Sequence, residues 1–138
     1  MEPQLLYKSF NENKTIEELE YNIKMHKTGL ENIKFELQFL KNLLNKPIFN
    51  PHAMNLFETL SKFKNEIKSL NKNCEELIER LISHANKIRI KMECEDVACD
   101  LFFIKKHDAI ELNVFNFNTK IYDFKFKLFQ FTESVLND

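Results

Sequence analysis

Seam residues recur through the middle of the chain at Leu56, Leu60, Phe63, Ile67, Leu70, Cys74, Leu77, Leu81, His84 and Ile88. Steps of four and three alternate, the spacing of a long helix that packs lengthwise against others. Lys62, Lys68, Lys72, Glu75, Glu79 and Arg80 fall on the opposite side, so one face is core and the other is water. At 1.5 Å per residue, such a helix is a rod of about 50 Å.

The same rhythm appears twice more. Before this stretch it runs through Ile16, Leu19, Ile23, His26, Leu30, Ile33, Leu37, Leu40 and Leu44. After it come Phe103, His107, Ile110, Val114, Phe117, Ile121, Phe124, Leu128, Phe131 and Val135. Local signals mark the ends. Thr15 followed by Glu18 reads as a capping box, in which hydroxyl and carboxylate each satisfy a free backbone donor. Pro47 disfavours helix at the residue before it, which stops the first helix near Asn45. Asn50-Pro51 reads as N-cap and first helical residue of the second helix, and Asp96 as the N-cap of the third. The expected helices therefore cover about 15–45, 51–93 and 97–136, after an N-terminal segment 1–14, in a single domain spanning 1–138.

A strand competes for the last segment, because Phe124-Lys125-Phe126-Lys127-Leu128 alternates like one. The three-four rhythm continues through it without a change of phase, and no glycine marks a turn, so helix is preferred. Antiparallel register agrees. With a tight break at residues 93–96, positions of the second and third helices that sum to about 191 face each other: His84 with His107, Cys74 with Phe117, Phe63 with Leu128. For the first and second helices a sum of 96 or 97 pairs Ile33 with Phe63 and Ile23 with Cys74. The expected fold class is all-α: an up-down-up bundle of three long antiparallel helices with coiled-coil-like packing. Its second and third helices outrun the start of the first, and Leu5, Leu6 and Phe10 are the residues expected to close the uncovered apolar end.

Composition narrows the function classes. One glycine and three prolines in 138 residues suit long helices with few turns. The net charge of −1 gives no basic field for nucleic acid or for an anionic membrane. No apolar run approaches a membrane span. Three cysteines, Cys74, Cys94 and Cys99, with no secretory leader in the opening residues, point to a reducing, cytoplasmic setting. Cys74 belongs to the core; Cys94 and Cys99 flank the break, with nothing nearby to activate a thiol.

Candidate chemistry is sparse. His26, His84 and His107 all occupy seam positions, and Glu111 lies one turn beyond His107. Facing imidazoles with a carboxylate are the beginning of a metal site, which makes His84, His107 and Glu111 weak candidates for a metal- or ligand-binding layer. The Glu-x-x-His pairs of carboxylate-bridged di-iron bundles and the Cys-x-x-Cys pairs of zinc sites are both absent. The expected layer is polar and metal-free, with Glu12 or its neighbours reaching it from the N-terminal side and His26 lying apart, opposite Leu70 and Ile121. No phosphate loop, nucleophile elbow or catalytic carboxylate pair is present, so no enzyme activity and no cofactor are expected.

One feature exceeds what a lone bundle requires. A second apolar stripe runs outside the seam through Leu112, Phe115, Tyr122, Phe126, Phe129 and Leu136, matched on the first helix by Tyr21, Met25, Phe35 and Phe39. The sequence reads as a structural or adaptor module that associates through this face, as a homodimer or with another helical protein.

Overall fold

A computed structural model of the chain describes residues 5–91 and 97–137. Three helices, α1 (Ile16–Leu44), α2 (Leu56–Lys91) and α3 (Val97–Val135), form an antiparallel up-down-up bundle. No strand occurs among the described residues, only an isolated bridge between Phe49 and Leu136. The alternating Phe124–Leu128 segment is helix, because its seam residues Phe124 and Leu128 are buried in the common core. The Asp96 cap, the 93–96 break and Cys94 lie outside the described residues.

The three-four seam is the core. Of α2's ten seam positions all but Leu70 are buried, and Leu70 packs partly buried against them. Leu19, Ile23, Leu30, Leu37, Leu40 and Leu44 enter from α1, and Phe103, Val114, Phe117, Ile121, Phe124, Leu128 and Val135 from α3. The α2–α3 register is the one read from the sequence. His84 Nε2 lies 3.3 Å from His107 Nδ1. Phe63 packs its ring between Phe124 and Phe131, at 6.0 and 5.4 Å, bracketing the expected Leu128 level.

The α1 cap forms as its residues dictate. Thr15 Oγ1 accepts from the Glu18 amide at 3.1 Å, and Glu18 Oε1 accepts from the Thr15 amide at 3.2 Å. At the other end the Asn45 and Lys46 amides donate to Asn42 and Leu43, 3.1 Å each, and the helix stops before Pro47.

The start of α2 departs from expectation. Asn50 does not cap it; its side chain accepts from the His52 amide at 3.0 Å, which closes a local turn instead. Residues 51–55 remain turns, and Asn55, at φ 55°, takes the left-handed conformation that asparagine tolerates. α2 therefore begins at Leu56 rather than at Pro51. The longer connection moves the α1–α2 register. A sum of 97 would set Leu30 beside Ile67, yet the Leu30 carbonyl accepts from Cys74 Sγ at 3.2 Å, seven residues further along α2 (74 − 67) and so about two helical turns on.

The connection is stapled to the end of α3. The Asn50 amide donates to the Val135 carbonyl and the Asn137 amide to the Ile48 carbonyl, 2.8 Å each. One free carbonyl in α3's last turn thus gains a partner.

Candidate functional site

Glu111 gathers the polar side chains of the bundle. It stands one turn after His107 on α3, so the two share a face. Its Oε1 accepts from Tyr7 Oη at 2.7 Å and from Asn11 Nδ2 at 3.1 Å. Its Oε2 faces α1, with Asn22 Nδ2 at 3.2 Å and His26 Nε2 at 3.0 Å. Asn22 and His26 are themselves one helical turn apart, which is why both reach a single oxygen. One turn before Glu111 on the same helix face, Asp108 Oδ1 takes Asn11 Nδ2 at 2.7 Å and Ser9 Oγ at 2.5 Å.

His84 and His107 complete the layer from α2 and α3. Both are buried, at 2% and 1% exposure. His107 Nε2 lies 3.5 Å from Glu111 Oε2, too far for a good hydrogen bond, and has no other partner among the described residues; Asn11 Oδ1 is likewise buried and unpartnered among them. With the His107 proton on Nε2, directed at the carboxylate, Nδ1 is the acceptor and the His84 Nε2–H donates to it.

Burial disfavours the charged form of Glu111, but the His107 ring 3.5 Å away and the hydrogen bonds from His26, Tyr7 and Asn11 outweigh it and hold the carboxyl well below the usual range. Burial, then the neighbouring carboxylate, raises the Tyr7 phenol. Burial, with His107, Lys106 and Lys87 adding repulsion, lowers His84 to about 4. A carboxylate so fully occupied by donors is a structural anchor and a poor general base.

Two expectations are corrected here. His26 does not lie apart in the core; it is partly exposed and bonded to Glu111, because the longer α1–α2 connection re-registers α1. Leu5, Leu6 and Phe10 do not close the end of the bundle, being 81%, 84% and 71% exposed. Residues interleaved with and following them dock instead. Tyr7, Ser9 and Asn11 lie along α3 through Glu111, Asp108 and the Phe115 ring, 5.8 Å from that of Tyr7. Two carboxylates on one helix face capture this strap more firmly than an apolar edge does. Asn11, the neighbour of Glu12, reaches the layer from the N-terminal side as expected, whereas Tyr7, Ser9 and Asn22 have no place in the sequence reading. Their only signal is polar side chains outside the periodic seam.

Among the described residues no group of three or more His, Cys, Asp or Glu side chains is arranged to hold a metal ion. No helix among them is long and apolar enough to cross a membrane.

The outer stripe is a separate feature. Tyr21, Met25, Phe35 and Phe39 on α1 are exposed, as are Leu112, Tyr122, Phe126 and Phe129 on α3; Leu136, expected on the same helix, is also exposed but lies just past its end, in the bridge with Phe49. Phe115 is half-buried beneath Tyr7. Met25 and Tyr122 line one groove of about 380 Å³ between α1 and α3. Lys125 bridges that groove to Glu36 at 3.1 Å and lies 5.5 Å from the centre of the Tyr122 ring. No family model, curated protein or solved structure matches the chain.

Proposed function

We propose that the chain is a non-catalytic helical module that associates, with a second copy of itself, through the outer faces of α1 and α3. The observation that carries this reading is the exposure of six aromatic side chains on those faces: Tyr21, Phe35, Phe39, Tyr122, Phe126 and Phe129, between 51% and 79% exposed. A buried aromatic covers roughly 150–250 Å², so the six supply on the order of 700 Å², close to the roughly 800 Å² per partner of a stable interface. Twofold self-association is the commonest way to cover such a face. The groove between the two stripes gives the partner's side chains a place to insert.

Sedimentation at micromolar concentration tests the reading. The wild-type chain is expected to sediment as a dimer, and Phe126→Lys/Phe129→Lys as a folded monomer. A wild-type chain that stays monomeric at high micromolar concentration overturns self-association, and a mixed complex with another helical protein would then define the partner.

A second reading places a ligand or metal at the His84/His107 layer, favoured by two buried atoms without hydrogen-bond partners among the described residues, His107 Nε2 and Asn11 Oδ1. Stoichiometric metal retained through dialysis against a chelator would replace the first reading with this one.

A further inference from the structure

At the end of the bundle opposite the histidine layer, the α1–α2 connection folds over a cleft of about 550 Å³, within the size range of small-molecule sites. Its deep wall is apolar and belongs to the core: Leu44, Phe49, Leu56 and Leu60 are each buried. Phe57 stands at the mouth, 76% exposed, a large ring with no place in the core. Backbone anchors the connection over the cleft: Phe49, midway along it, bridges to Leu136, and Asn55 is left-handed where the connection enters α2.

Among the described residues, the charged side chains that line the cleft have one sign: Lys46 and Lys64 line it, no Asp or Glu does, and neither lysine is ion-paired. Other lysines of the bundle do find carboxylates, as Lys34 does with Glu75 at 3.0 Å and Lys125 with Glu36 at 3.1 Å. An apolar wall below two unpaired ammonium groups is complementary to an apolar tail ending in an anion.

We infer that this cleft binds a free single-chain carboxylate, its hydrocarbon tail against Leu44, Phe49, Leu56 and Leu60 and its head between Lys46 and Lys64. The site is independent of the association face, whose aromatic residues do not line it.

Calorimetric titration with octanoate, decanoate and dodecanoate tests this, each below its micelle concentration. One molecule is expected to bind per chain, with affinity rising on the order of ten-fold at each step of two methylenes until the cleft is full. Dodecanol, lacking the charge, should bind more weakly than dodecanoate. Lys46→Gln/Lys64→Gln should weaken dodecanoate roughly three- to ten-fold, while Lys68→Gln/Lys72→Gln, elsewhere on α2, should not. Ser61→Trp, at the exposed mouth, should block the cleft; should that variant misfold, the lysine pair carries the test. Phe126→Lys/Phe129→Lys should bind as the wild type does, which separates this site from the association face. Absence of binding, equal affinity for dodecanol, indifference to the lysine pair, or binding to anionic phospholipid vesicles but to no free carboxylate would each overturn the assignment.

Discussion

Glu111 is where single side chains matter most, since the N-terminal strap and α1 both end on its two oxygens. Glu111→Ala strands those donors and should cost about 2–4 kcal/mol, read by denaturant unfolding. His84 makes stability depend on pH. Its folded value of about 4 lies below the ordinary 6.5, so between these values the unfolded chain binds more protons. Its contribution is complete above about 6.5 and lost as pH falls to about 4, an effect of roughly 3 kcal/mol at most. Glu111, held low, adds in the same direction once pH falls below the ordinary carboxylate range. Thermal unfolding should therefore move to lower temperature from pH 7 to pH 4, and His84→Leu should flatten the upper part of that slope. The pairing of His84 with His107 was legible in the sequence because both lie on the seam at complementary register. The approach of a neighbour of Glu12 was legible too, but the capture of Tyr7 and Ser9 was not, because a hydrogen bond between residues about a hundred positions apart leaves no periodicity to read.

Among elements, α1 follows its local code at both ends. Thr15→Ala should cost about 1 kcal/mol by opening the capping box. Gly29 lies inside α1, and an added methyl group there would meet nothing within 4 Å. Gly29→Ala should accordingly raise stability by about 0.5–1 kcal/mol, visible as a higher melting temperature. α2 obeys its seam but not its expected start. Asn and Pro serve a turn as well as they serve a cap, and the choice at Asn50 was made by tertiary structure, through the hydrogen bonds of Ile48 and Asn50 to the end of α3. That one decision displaced the α1–α2 register and with it the position of His26, so an error of five residues at a helix start propagated to the polar site (56 − 51).

The whole molecule joins a seam-built core to a polar layer that ties three helices and the strap together. Removing residues 1–12 should lower stability by about 1–3 kcal/mol through the loss of the Tyr7, Ser9 and Asn11 bonds, and should leave the helical circular dichroism intact. Packing between α1 and α2 has its own reporter in Cys74, fully buried, with its Sγ donating to the Leu30 carbonyl and its thiol raised by burial to about 11. A thiol in that condition is inert to alkylating and disulfide reagents while the two helices are closed. It reacts only in the moments when the helices packed over it part. In a chain carrying Cys94→Ser and Cys99→Ser, the rate of Cys74 labelling therefore becomes a stopwatch for a native-state opening. Its dependence on reagent concentration separates how often the seam parts from how long it stays apart.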